Sequence, residues 1–333
     1  MDSPIDLSRY IQRRHFRSFE RDMARSSYGY GVDLRRTRWL TTSLVGQAPL
    51  RALEHSWYAV AGSLMQEELR VPELSGDIPL LSEVARIARL LRTVSPAIRI
   101  LRPGIDVRRE WGLVTPIGDP RGSNEWIVLD REALQKLSAP ERAFLLGAGL
   151  GHLHCGHGAL FLAHLVGHRR SGHSLLRGLL RPWIKVAVFS ADRAGLLAAG
   201  DLEASLTALQ RSIAAAPTWS PKFPDFDTRR LALEEFAWTT VAARFRARLR
   251  RESGEIDLEE ELRSLASPPE TDSDGTNDPD QDESLGVPDN KQDRRQDNKQ
   301  DPVSGSDDND GVPDDAWSLA RCDHRLTTRL GLL

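Results

Sequence analysis

The chain has 333 residues, 40% of them hydrophobic and 28% charged, an ordinary globular composition with length enough to bury a sizeable core. The formal net charge of −3 averages two unlike regions. Residues 267–316 carry 16 acidic and 4 basic side chains, a net of −12, which leaves 41 basic and 32 acidic elsewhere, a net of +9. Two cysteines far apart, Cys155 and Cys322, make no disulfide framework and point to a reducing compartment. The opening MDSPIDLSRYIQRRHF has no apolar run of the kind a secretory signal needs, so the expectation is a cytoplasmic protein.

In chain order, residues 1–45 are arginine-rich and weakly patterned, and read as an N-terminal arm. From about Leu50 to Thr93 apolar residues recur at helical spacing. In PLLSEVARIARLLRTV, Leu80, Val84, Ile87, Leu90 and Leu91 share one face behind Pro79. Three strand-like runs follow, AIRIL (97–101), WGLVTPI (111–117) and EWIVLD (125–130), divided by turns rich in Pro, Gly, Asp and Asn. Asp130 caps a short helix, and Ser138-Ala-Pro-Glu141 is a capping box that opens a long one. Residues 143–168 lack formal charge for long enough to span a bilayer. Their five histidines and six glycines fit a buried helix better, so no transmembrane helix is predicted.

A second long helix is predicted over 177–200, a third after the Asp201 cap, and a fourth over 228–250. Residues 267–316 have almost no aliphatic side chains and repeat polar words, so they are predicted to be a disordered acidic linker. Residues 317–333 regain helical periodicity and are expected to dock back as a short C-terminal helix. The domain proper is then 46–266.

Several short words occur in a telling order: IVLDREAL, then GHLHCGH ending the long helix, then SADRAGLLAAGD, and later Phe223-Pro224 with Arg229. This order resembles the HtpX and CAAX-prenyl-protease family of zinc metallopeptidases (metallopeptidase family forty-eight) over roughly residues 50–238. The resemblance implies an α+β, predominantly helical, zincin-like fold with a small sheet. Family members hold zinc with HExxH and a glutamate from an ExxAD helix. Here the HExxH frame falls on Ala148, Gly149, Leu150, Gly151 and His152, and the ExxAD frame on Val188 to Asp192. The first ligand position is Ala148, the general-base position Gly149 and the third ligand position Val188, with only His152 retained. Residues four apart on a helix can share one zinc, with the intervening glutamate activating its water. Alanine, glycine and valine offer no lone pair. The resemblance therefore implies a pseudopeptidase with no cofactor, where active relatives use zinc.

The other polar residues have plainer expectations. His152 is expected to be a hydrogen-bonded interior histidine, and Asp192 to pair with Arg229. His157 and Arg229 are family-derived structural positions. Gly147, Gly149 and Gly151 each cost roughly 1 kcal/mol in a helix and imply close packing of a second backbone. If the helix continues past Gly158, His154, His157, His164 and His168 fall within an arc of about 80°. His152, His164 and His168 are then weak metal candidates, with His173 nearby. Cys155, three residues beyond His152, is expected to be an inert thiol. DSDG (272–275) and DDNDG (307–311) echo calcium loops without their closing glutamate. No phosphate loop, nucleophile elbow or nucleic-acid motif occurs, and the basic regions lack aromatic interleaving.

Three functions follow. The first is a non-catalytic protein binding a peptide or protein in a residual cleft. The second is an active metalloendopeptidase with displaced histidine ligands. The third is a scaffold whose acidic tail is the working part.

Overall fold

The computed structural model describes residues 20, 22–104, 110–119, 124–169, 174–253, 313 and 315–332. The first nineteen residues, nearly all of the acidic segment with both calcium-like words, and His173 lie outside the described residues. The chain divides into two compact units, residues 1–247 with 311–333 and residues 248–310. The description below concerns the first.

The architecture is predominantly helical α+β with one small mixed sheet. Helices α1 (Gly31–Thr42) and α2 (Leu44–Glu67) lead to β1 (Leu69–Arg70) and α3 (Leu74–Leu90). Next come β2 (Ala97–Leu101), β3 (Val114–Gly118), β4 (Glu125–Leu129) and a single turn, α4 (Arg131–Leu134). The long helices are α5 (Ala139–His154), α6 (Gly158–Arg169), α7 (Ser174–Ala199), α8 (Leu202–Ala214), α9 (Phe226–Ala237), α10 (Thr240–Ser253) and α11 (Leu319–Arg329). The strand order is β1-β2-β4-β3, with β2 and β4 parallel and the two outer pairings antiparallel.

All three predicted strands form: 97–101 as predicted, 111–117 as Val114–Gly118 and 125–130 as Glu125–Leu129, and β1 joins them unannounced. Strand β3 is an edge. Leu113 O accepts from Asp130 N and Asp119 N donates to Asn124 O, so the odd-numbered residues of β3 bond to β4. The backbone groups of Val114 and Pro116 turn the other way. A proline is tolerated there because no ladder bond is asked of its nitrogen.

Three expectations are corrected. Residues 22–45 are not an arm where they are described: Tyr28, Tyr30, Asp33 and Leu40 are buried. The long helix does not continue past Gly158. It stops at His154, Gly156 adopts φ +79°, a left-handed turn that favours glycine, and α6 starts afresh. The predicted fourth helix is two helices, broken at Trp238–Thr239. Thr239 Oγ1 accepts from Ala242 N, and Trp317 fills the gap, donating to Trp238 O and accepting from Thr240 N.

The C-terminal helix α11 docks on the same unit. Asp323 pairs with the wholly buried Arg193 at 2.7 Å and accepts from Gly31 N at the start of α1. Thr327 bonds to Tyr30 OH at 2.8 Å. The Arg193 guanidinium lies over the Tyr30 and Phe236 rings, the kind of aromatic seat that offsets burial of a cation. Among the described residues no helix is long and apolar enough to cross a membrane.

Candidate functional site

Helix α5 starts where its capping box places it. Ser138 N and Oγ both donate to Glu141 Oε2, at 2.9 and 2.8 Å, and Arg211 stands 3.4 Å from the same carboxylate. One side of α5 presses on α7. A Cβ on Gly147 would meet Ala198 Cβ at 2.5 Å and Ala194 O at 2.9 Å, and one on Gly151 would meet Ala194 Cβ at 2.5 Å. Those two glycines permit the close backbone approach that the sequence implied. Gly149 has a different neighbour: its Cβ would meet Val114 Cγ1 at 2.6 Å, on the sheet.

Between α5, β3 and the turns of 216–225 lies a cavity of about 240 Å³. Ala148, Gly149 and His152 line it from α5, and Gly112 to Pro116 from the edge strand. Phe161, Trp219 and Phe223 supply aromatic walls. Three predicted positions therefore share one cavity wall. Val188 does not join them; it is wholly buried in a core cluster with Phe161 and Phe189.

His152 is 7% exposed and lies in an aromatic box. Phe223 stacks on it at 5.5 Å, and Phe161 meets it edge-on at 5.0 Å. Its Nδ1 is 3.1 Å from His157 Nδ1. His157 Nε2 is 3.0 Å from Asp33 Oδ1. Asp33, wholly buried, also accepts from Trp183 Nε1 at 2.9 Å and Ser190 Oγ at 2.5 Å. Ser190 in turn accepts from Tyr30 N. The result is a continuous buried chain, His152–His157–Asp33, with its carboxylate end fixed by two further donors. Desolvation first, then the positive potentials of His157 and Arg229, hold His152 well below the usual imidazole range. It is neutral near pH 7.

Asp192 and Arg229 form the expected pair, bidentate at 2.6 and 2.8 Å, with both residues buried. Arg229 also lines the cavity. Its charge is satisfied there, as a buried charge must be. His154 bonds to Tyr28 OH at 2.6 Å.

Zinc does not fit the cavity. Of its lining residues only His152 offers an imidazole. The one carboxylate, Asp225, caps α9 by accepting from Thr228 N at 2.8 Å. A hydrolytic zinc needs three protein ligands. Because α5 and α6 are separate helices, the histidine arc is not formed. Neither His152, His164 nor His168 joins a group of three donor side chains among the described residues.

Those residues hold one such group, Asp33, Cys155 and His157, with donor atoms within 4.8 Å of one another. It too suits hydrogen bonds better than a metal. The Asp33 oxygens already accept three protons, and burial raises the Cys155 thiol far above its ordinary value, against the thiolate that a metal requires. The same burial removes any Cys155–His152 nucleophile dyad.

Sequence reading missed Asp33, which lies 124 residues before His157 in a stretch taken for an arm. The signal was there in YGYGVDL: two tyrosines two apart and a lone acid amid arginines. No family model, curated protein or solved structure matches the chain.

Proposed function

We propose that the chain is a non-catalytic relative of the HtpX-like zinc metallopeptidases, a pseudopeptidase with a zincin-like fold that binds an extended peptide along β3. One observation carries the reading: Ala148, Gly149 and His152 stand together on the wall of a cavity bounded by an edge strand. In the family frame those are the places of a ligand, the general base and a second ligand, and here only one donor atom remains among them. A peptide laid antiparallel to β3 would meet the outward N–H and C=O of Val114 and the C=O of Pro116. One of its side chains would enter the cavity.

Two measurements test this. Zinc is assayed in purified protein together with cleavage of unstructured peptides; a tightly held stoichiometric zinc with cleavage overturns the reading. Binding of a library of extended peptides is then compared with Val114→Pro, which removes the outward N–H and leaves the β4 ladder alone. The expected result is peptide binding by the native chain and its loss in the variant. Equal binding by both sinks the strand-addition geometry.

A further inference from the structure

The relay ends on an atom that no protein group meets. His152 turns Nδ1 to His157, so Nε2 lies on the far side of the ring, where it has no hydrogen-bond partner among the described residues. The side chain is more than nine-tenths buried, and its remaining exposure opens on the cavity it lines. Nε2 is not among the fully buried side-chain atoms that lack a partner, so what meets it is whatever fills the cavity. The cavity around it is mostly apolar, with Phe161, Trp219 and Phe223 on its walls and Thr115, Ser212, Ser220, Asp225 and Arg229 as further polar lining, so a ring with one polar atom aimed at Nε2 suits it.

Volume restricts the ligand. At about 240 Å³ the cavity exceeds the roughly 150 Å³ that takes benzene in a dry protein interior. It is below the range of about 300–1,000 Å³ typical of drug-sized sites. One ring with a small substituent fits.

Polarity restricts it further. With His157 neutral, Nε2–H donates to Asp33, His152 Nδ1–H donates to His157 Nδ1, and His152 Nε2 is a bare lone pair. With His157 protonated against Asp33, the direction reverses and His152 Nε2 carries the hydrogen. A hydroxyl both donates and accepts and so satisfies either arrangement. An indole N–H only donates, and a carboxylate only accepts. An ammonium only donates and would face Arg229, whose potential already disfavours positive charge at this point.

We propose that this cavity is a binding site for a phenolic group, its ring seated against Phe161, Phe223 and Trp219 and its hydroxyl bonded to His152 Nε2. The site stands without strand addition. A tyrosine side chain of a bound peptide and a free small phenol are its two chemical sources.

The test titrates the full chain with phenol and with toluene, followed by calorimetry and by the imidazole nitrogen resonances of the histidines. Phenol is expected to bind about tenfold tighter than toluene, the worth of one good hydrogen bond, and to shift the His152 resonances. In His152→Phe the preference for phenol disappears while toluene still binds. Since that variant carries a folding risk, Ala148→Leu is the second arm; it fills the cavity without touching the relay and should abolish binding of both.

Equal affinities, a preference that survives His152→Phe, unaltered phenol binding in Ala148→Leu, or no phenol binding at all would each overturn the proposal. Competition then separates the sources. Displacement of phenol by tyrosine-containing but not phenylalanine-containing peptides assigns the site to a side chain. Phenol binding with no peptide binding keeps the site and refutes the peptide reading. Peptide binding with no phenol binding does the reverse.

Discussion

Replacing Gly151 by alanine sets two opposing effects against each other. Alanine in a helix interior is favoured over glycine by about 1 kcal/mol, so on an open face the change stabilises. At Gly151 the added Cβ would stand 2.5 Å from Ala194 Cβ and 3.2 Å from Ala191 Cα. Neither neighbour is the free end of a flexible side chain, so α5 and α7 must separate. Overpacking of this kind costs about 1–3 kcal/mol and occasionally more, and the contact lies at the extreme end, so a net loss of about 1–2 kcal/mol is expected. For a domain of this size that lowers Tm by roughly 3–8 °C.

Gly178→Ala in α7 is the control, because nothing lies within 4 Å of its added Cβ, and it should stabilise by up to about 1 kcal/mol. Both are read by urea unfolding followed through tryptophan fluorescence. Adding Ala194→Gly to Gly151→Ala removes the closest contact and should give a coupling energy of about 1 kcal/mol. If Gly151→Ala is as stable as the native chain, the close approach of α5 and α7 is refuted.

Four further outcomes are expected. Arg229→Met leaves the Asp192 carboxylate buried and unpaired and should cost about 3–5 kcal/mol, with much of it recovered in Asp192→Leu/Arg229→Met, measured by urea unfolding. Truncation before Trp317 strips Asp323 from buried Arg193 and reopens the α9–α10 break; circular dichroism should show a loss of cooperative melting, and a midpoint within 2 °C of the full chain would contradict the docking. Neither cysteine should react with a thiol reagent until the protein unfolds, because burial, the largest cause, raises both thiols. Asp77 is held below its ordinary value chiefly by its hydrogen bond from Arg70, so its contribution is present above the unfolded value and lost in acid. The stability gap between native and Asp77→Asn proteins should be full at neutral pH, narrow as pH falls toward 3.8, and close below it.

Local signals carried well into the structure. The capping box at Ser138–Glu141, the Asp130 and Asp201 caps and the three strands are written in neighbouring residues, and each forms. Gly147, Gly149 and Gly151 indicated a close partner backbone; α7 is that partner for Gly147 and Gly151, whereas Gly149 faces side chains of the sheet. What periodicity does not encode is which distant segment fills a gap. The break at Trp238 depends on Trp317, and the burial of Arg193 depends on Asp323. A run of uncharged residues through 143–168 looked continuous because the single left-handed turn at Gly156 costs glycine little. His157 was read as one more residue on a helical face, whereas that turn swings it back toward His152. Asp33, the far end of the same relay, had only its local setting to mark it, because its partners His157, Trp183 and Ser190 lie more than a hundred residues along the chain.

The seat of Trp317 between Trp238 and Thr240 has a topological consequence. The acidic stretch lies within a covalent connection rather than at a free end, since the residues before 248 and after 310 belong to one compact unit. A single protease cut in that connection would therefore yield two fragments that stay associated, held by the contacts of α11 with Arg193, Gly31 and Tyr30. The polypeptide would run as two bands under denaturing conditions and as one particle without them.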